Sequence, residues 1–204
     1  MALPRVEPII PIRRREPFDD PGWLFDVKYD GFRAVCYVEQ GRARLGSRNG
    51  NDLPRFALFG AEIASVLEVE EAVLDGEVIV ADATGRPQFY DLLRGRLAPA
   101  YVAFDLPWRD GVDLRARPLA ERRPQLQAIL PKGSPVITEV VSVEGRGCEL
   151  YKLVCAHDLE GIVAKRLADP YGPRTRWLKI KNPDYSQAEG RGELFNQGRG
   201  RDVG

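Results

Sequence analysis

The amino-acid sequence predicts an α+β fold built on antiparallel sheets. Strand-like and helical runs follow one another in mixed order, with no regular βαβ alternation. Twenty glycines, 16 prolines and one methionine among 204 residues favour a loop-rich chain over a helical bundle. Two turn dipeptides, Asp30-Gly31 and Gln40-Gly41, separate short apolar runs near the N-terminus.

Each element follows from its residues. Residues 1–21 carry Pro4, Pro8, Pro11, Pro17 and Pro21 and no periodic segment, which predicts an extended arm, lying on the domain or loose from it. Residues 23–47 read as three strands joined at the two turn dipeptides. Arg48-Asn49-Gly50-Asn51-Asp52 is a polar loop. Residues 55–67 place Phe56, Leu58, Phe59, Ile63 and Leu67 in a pattern that suits a helix better than a strand. Buried strands are expected over 72–80 and 101–106, a helix opening at Pro118 over 118–130, and a strand over 136–141. A helix over 146–157 and strands over 161–165 and 177–181 complete the set. The folded domain is expected over 22–185. The polar, glycine-rich residues 186–204 read as a flexible tail.

Composition sets bounds on function. Thirty basic and 30 acidic residues give zero formal charge, so no globally basic surface draws nucleic acid. The charge is unevenly spread: residues 161–204 hold nine Lys or Arg against five Asp or Glu, which leaves room for a local basic surface. Cys36, Cys148, Cys155 and the single His157 lack the paired spacing of a zinc site and read as free thiols and a packing histidine. Arg13-Arg14-Arg15 is not followed by an apolar signal-peptide core, and no apolar run reaches the ~18 residues of a membrane helix. A cytoplasmic protein with no membrane partner is expected. A G-x-x-x-x-G-K-[ST] phosphate loop and a complete G-x-G-x-x-G after a strand are both missing.

The chemistry concentrates in Lys28-Tyr29-Asp30-Gly31-Phe32-Arg33, at the end of an apolar-rich strand. Alternation sets Leu24, Asp26 and Lys28 on one strand face and Trp23, Phe25 and Val27 on the other. A lysine titrates ordinarily near ~10.4, and becomes a nucleophile only if burial or neighbouring cations help it lose its proton. Lys179 and Lys181 alternate onto one strand face, where two ammonium groups can clamp a phosphate and depress a third lysine. Asp75, Glu77 and Glu160 stand in or beside apolar strands, where an unpaired carboxylate costs several kcal/mol. A metal, a ribose hydroxyl or a structural arginine would each offset that cost.

Six motifs, in order, resemble those of the covalent nucleotidyltransferases, and specifically the ATP-dependent DNA ligases. They are Lys28–Arg33, Ser47-Arg48-Asn49-Gly50, Leu74-Asp75-Gly76-Glu77, Tyr101-Val102-Ala103-Phe104-Asp105, Glu160-Gly161-Ile162-Val163-Ala164-Lys165 and Trp177-Leu178-Lys179-Ile180-Lys181. The spelling looks closest to bacterial ligases, including the ligase module of end-joining proteins. The resemblance implies an antiparallel-sheet nucleotidyltransferase (ATP-grasp-like) domain. It implies that Lys28 attacks the α-phosphate of ATP and carries AMP to a 5′-phosphate end, before a 3′-hydroxyl seals the strand. Asp26 would then lie near the adenine amino edge, Arg33 and Glu77 on the ribose, Arg48 on phosphate and Phe104 against adenine. Lys179 and Lys181 would grip the α-phosphate, and Glu160, with Glu77, would hold Mg²⁺ or Mn²⁺. Nicked or broken duplex DNA is the implied partner.

Ligases of this kind continue into an OB-fold domain, and the residues after 185 are too few to form one. The expectation is a catalytic core without an OB-fold domain, acting alone or with a protein partner that supplies the clamp. Arg13–Arg15 in the arm and Arg191, Arg199 and Arg201 in the tail are candidate phosphate contacts. An RNA ligase of the same superfamily, or a non-sealing module that binds nucleotide or DNA ends, is the alternative.

Overall fold

Two sheets divide the strands between them. The computed structural model describes residues 3–82, 87–95 and 97–188. The first sheet has the order β1 (Ile12–Arg13), β11 (Leu178–Lys181), β10 (Gly161–Arg166), β2 (Asp20–Lys28), β9 (Ser142–Gly145). The second has the order β4 (Arg42–Ser47), β3 (Phe32–Glu39), β5 (Glu71–Ile79), β6 (Ala100–Arg109), β7 (Val112–Asp113), with β8 (Ile137–Glu139) also on β6. Pairing is antiparallel except for β1 on β11 and β8 on β6. The α+β class with antiparallel sheets is what the sequence predicts.

Helices cover the outer faces. Helices α1 (Ala57–Val66) and α3 (Leu119–Ile129) bring Phe59, Ile63, Leu126 and Ile129 onto Ala34, Cys36, Leu74 and Ala103 of the second sheet. A shorter helix, α2 (Phe89–Arg94), adds Leu92 to that core. Helix α4 (Gly147–Ala156) sets Leu150 and Val154 against Phe25, Val27, Ile162 and Ile180 of the first sheet. Between the sheets lies a third cluster, with Val35, Tyr37, Val73 and Trp108 from one side and Trp177 from the other. Val6 and Ile9 of the arm complete it. The arm thus contributes to the core, and its Val6 N–H donates to the Tyr37 hydroxyl at 3.2 Å.

Two expectations change. The strands over 23–47 are not one meander, because β2 belongs to the first sheet and β3 to the second. Asp30-Gly31 is a crossing between sheets, not a hairpin turn. The crossing is tight: a Cβ on Gly31 would collide with the Val78 carbonyl. The strand expected over 136–141 is likewise cut in two. Val140 N–H bonds to Ala103 in the second sheet at 2.9 Å, and the next carbonyl, Val141, accepts from Val27 in the first at 2.8 Å. The sequence gives no sign of β1, β7, β9 and α2, which are too short to carry a period. Ser186–Ala188 form one turn of 3₁₀ helix. Arg191, Arg199 and Arg201 lie outside the described residues.

Candidate active site

The site is a cleft between the two sheets, and sheet register explains its residues. Paired strands show registered residues on a common face. In the first sheet Lys28 pairs with Gly161, and Gly161 with Lys181; Asp26 pairs with Val163, and Val163 with Lys179. In the second sheet Arg33 pairs with Glu77, and Glu77 with Val102. Asp26, Lys28, Val163 and Lys179 line the cleft from one side, and Arg33, Glu77, Val102 and Phe104 from the other. Ile10 and Pro11 of the arm and Arg48 border it too. Its empty space, about 860 Å³ with the open mouth, falls within the size range of small-ligand sites.

Lys28 ends β2 and points at a carboxylate. Its Nζ donates to Glu160 Oε2 at 2.6 Å, and Lys181 Nζ stands 3.1 Å from Glu160 Oε1. Glu160 is buried, and each of its oxygens carries a lysine partner, which offsets the cost of burying the charge. Gly161, at φ +148°, lets β10 pass close to β11: a Cβ there would strike the Ile180 carbonyl. Lys179 has its ammonium pushed below the ordinary lysine range, chiefly by burial, then by the charges of Lys181 and Lys28. Three ammonium groups therefore share one corner of the cleft.

The opposite wall is an arginine between aromatic rings. Arg33 donates Nε to Asp75 Oδ1 at 2.6 Å and Nη2 to Asp75 Oδ2 at 2.5 Å. Asp75 is fully buried and also accepts from the Tyr171 hydroxyl at 2.6 Å. Of the acids within β5, Asp75 is thus a structural ion-pair partner. Arg33 lies 4.5 Å from the Phe104 ring centre and 5.4 Å from that of Trp177. Lys165 Nζ lies 4.3 and 4.1 Å from the same two rings.

Glu77 differs from Asp75. Burial pushes its carboxyl up to about 7, while Lys28 and Arg33 pull it down and Glu160 and Asp75 push it further up. The folded protein therefore holds this proton where the unfolded chain, near 4.5, has released it. The stability from that proton is complete below about 4.5 and is lost as pH rises through about 7. Glu77→Gln removes the dependence. Wild type should lose ~1–2 kcal/mol relative to Glu77→Gln between pH 5 and pH 8, less than the full shift implies because the cleft admits water. Urea midpoints at both pH values check this, and parallel curves for the two proteins would exclude Glu77 as the group.

Lys165, Arg123 and Trp177 join the site without having been assigned a role from sequence. Lys165 Nζ stands 2.6 Å from Asp26 Oδ2 and donates to the Phe104 carbonyl at 3.2 Å. Burial pushes this lysine below its ordinary range and Asp26 acts against that. Arg123 on α3 donates to the Phe104 carbonyl at 2.9 Å and to Ser142 Oγ at 3.1 Å, and pairs with Glu139 at 2.7 Å. These side chains hold Asp26 and Phe104 from behind. Lys165 could have been noticed as the terminal lysine of its motif; Arg123 offers no sequence signal beyond its helix.

Arg48 is presented by a turn. Gly50 N–H bonds to the Ser47 carbonyl at 2.8 Å, and Asn51 N–H to Ser47 Oγ at 3.1 Å. Gly50 takes a positive φ of +79° and the Arg5 guanidinium packs over it. No group of three or more His, Cys, Asp or Glu side chains is placed to hold a metal among the described residues. Glu160 and Glu77 offer two carboxylates, a set that suits Mg²⁺ when phosphate oxygens and water supply the other ligands. Each Glu160 oxygen already carries one lysine, so such an ion would share the carboxylate with Lys28 and Lys181.

Comparison with known proteins agrees with this geometry. The family described as the ATP dependent DNA ligase domain matches residues 14–181. The chain is 30% identical over 192 residues to the SPbeta prophage-derived DNA ligase-like protein LigB of Bacillus subtilis, covering 89% of this chain and 69% of that one. It is 34% identical over 168 residues to the multifunctional non-homologous end joining protein LigD of Pseudomonas aeruginosa, covering 78% of this chain and 20% of LigD. A solved mycobacterial DNA ligase D complexed with ATP and MES superposes with a TM-score of 0.74 at 28% identity, over 86% of this chain and 60% of that one. The chain therefore spans less than two thirds of those last two proteins. The sheets, the cleft and these matches lead to one conclusion: the chain belongs to the ATP-dependent DNA ligase domain family, as an adenylation domain.

Proposed function

We propose that this chain adenylates itself at Lys28 with ATP and passes the AMP to a 5′-phosphate of nicked or broken duplex DNA. The observation that carries the proposal is the corner where Lys28 meets Glu160 at 2.6 Å beside Lys179 and Lys181. Lys28 must shed a proton to attack, and Glu160 is the nearest acceptor. The Nζ lone pair then forms a bond to the α-phosphorus. The bond from that phosphorus to the bridging oxygen breaks, and its electron pair leaves with pyrophosphate. The amine's remaining excess proton passes to solvent, leaving a phosphoramidate. Lys179 and Lys181 offset the charge that builds on the α-phosphate oxygens. Glu77, the Arg33–Phe104–Trp177 wall and Asp26 form the rest of the nucleotide pocket.

Glu160 and Glu77 are the residues that would hold Mg²⁺ or Mn²⁺; such an ion supplies further neutralisation of phosphate charge when bound. Arg48, which lines the cleft, would contact phosphate, with the 5′-phosphate of the nick as one candidate. The relatives named for end joining make broken DNA ends the favoured substrate, and a protein partner that supplies a clamp is part of the same reading. No helix among the described residues is long and apolar enough to cross a membrane. The free Cys36, Cys148 and Cys155 suit the reducing cytoplasm.

Labelled ATP with Mg²⁺ or Mn²⁺ tests the proposal. The expected product is an acid-labile protein–AMP adduct that discharges onto nicked DNA and yields a sealed strand. A chain that forms no adduct over a range of pH and metal, alone or with a partner, would sink the reading. Sealing of nicked RNA but not nicked DNA would favour the RNA ligase alternative.

A further inference from the structure

Sheet register carries the cation set beyond the cleft. The row Asp26–Val163–Lys179 continues onto β1, where Arg13 pairs with Lys179. Arg13 therefore shares a face with Lys179, one strand further out. The arm is held there by Ile12 N–H to the Trp177 carbonyl at 2.9 Å and Arg14 N–H to the Lys179 carbonyl at 3.0 Å.

The three arginines of the arm do different things. Arg14 stacks 4.4 Å over Phe18 and donates Nε to the Glu16 carbonyl at 3.0 Å. Arg13 and Arg15 are exposed and have no carboxylate partner among the described residues. Together with Arg14, both border a cavity lined as well by Lys181, Tyr151 and Glu16. The Tyr151 hydroxyl donates to the Lys181 carbonyl at 3.0 Å and fixes one side. Glu16 is the one carboxylate among the lining residues. Lys181 joins this cavity to Glu160 and, through it, to Lys28. Cations gathered at this density repel one another until an anion sits among them.

We propose that Arg13 and Arg15 bind the β- and γ-phosphates of ATP and so hold the pyrophosphate that Lys28 displaces. The inference rests on the adenylation reading above. Attack at the α-phosphorus is in line, so the leaving group points away from Lys28. β1 lies three strand spacings from β2, roughly 14 Å. A lysine, a triphosphate and an arginine side chain together cover that span. A DNA backbone would offer the same arginines similar phosphates, and the test separates the two sources.

The test compares wild type with Arg13→Ala, Arg15→Ala and the double variant, all on exposed positions that leave the fold intact. Inorganic pyrophosphate binding is titrated directly, lysyl-AMP formation is followed against ATP concentration, and sealing is measured on a nick that already carries AMP. Each alanine should weaken pyrophosphate binding and raise the ATP requirement roughly tenfold, the effect of one charge-assisted contact. Sealing of the pre-adenylated nick should be unchanged, and Arg→Lys variants should recover part of the loss. Unchanged pyrophosphate binding overturns the proposal. Weaker sealing of the pre-adenylated nick with normal adduct formation also overturns it, and assigns the arginines to DNA. If wild type binds pyrophosphate through Arg13 and Arg15 but forms no adduct, the adenylation reading fails and the phosphate site stands.

Discussion

Lys28→Ala will form no lysyl-AMP, and Lys28→Arg will form none either. The pair of variants separates two roles. Arginine keeps a cation beside Glu160 but stays protonated in proteins, so it cannot attack phosphorus. Alanine removes both charge and nucleophile and leaves the buried Glu160 with Lys181 alone. Adduct formation should fall by at least ~10⁴-fold in both, the scale seen when a covalent nucleophile is removed. Stability should separate them. Alanine leaves Glu160 short of a partner and should cost about 1–2 kcal/mol, whereas arginine should cost less. Adduct yield by labelled AMP and urea midpoints check the two halves. An adduct of normal yield in Lys28→Ala would move the nucleophile to Lys179 or Lys181.

The largest effect on stability is expected at Arg122. This side chain and Asp105 are almost wholly buried, on α3 and β6. Arg122 donates Nε to Asp105 Oδ1 at 2.7 Å and Nη2 to Oδ2 at 2.8 Å. Its Nη1 donates to the carbonyls of Arg117 at 2.5 Å and Asp169 at 3.0 Å, so one guanidinium ties the helix, the strand and the loop after β10. Burial alone would raise the Asp105 carboxyl, but the hydrogen bonds and charge of Arg122 outweigh it and hold the group below its ordinary value. The ion pair therefore stabilises the fold above the ordinary carboxylate range, and its contribution fades as pH falls through the depressed value. Arg122→Ala strands a buried carboxylate and should cost ~3–5 kcal/mol. The double variant Asp105→Leu with Arg122→Met should cost less than Arg122→Ala alone, because no charge is left behind. Denaturant melts of the two variants decide it. A double variant weaker than Arg122→Ala would show that the pair contributes more than mutual neutralisation.

Residues on regular strands were legible because alternation is geometric. Lys179 and Lys181 two apart, and Asp26 and Lys28 two apart, had to share faces, and both pairs reach the same corner. The six motifs were legible because each is local. What could not be read was which distant carboxylate meets which cation. Asp75 and Glu77 both stand in an apolar strand, yet one is tied to Arg33 and the other holds a proton near neutral pH. The deciding contact spans 42 residues, and no local pattern encodes it. The division of 23–47 between sheets was hidden for a different reason. Asp30-Gly31 has turn chemistry whether the chain folds back or crosses over, and only the Val78 carbonyl packed against Gly31 settles which. The arm's prolines left open whether it lies on the domain or loose from it, and Val6 and Ile9 pack into the cluster between the sheets.

The crossing at Tyr29-Asp30-Gly31 gives the lysine motif a mechanical meaning. Lys28 is the last residue of β2 in one sheet, and Arg33 is the second residue of β3 in the other. A single peptide segment thus furnishes one residue to each jaw of the cleft, and the Tyr185 hydroxyl anchors it through Asp30 at 3.0 Å. Only four residues separate Lys28 from Arg33, so this short segment limits how far the two can lie apart. The second covalent crossing between the sheets, at Val140-Val141, runs beside the first, because the Val141 carbonyl accepts from Val27, the neighbour of Lys28. Both covalent seams between the sheets among the described residues therefore lie at the Lys28 end of β2, and everything else that joins the two sheets is side-chain packing and hydrogen bonding.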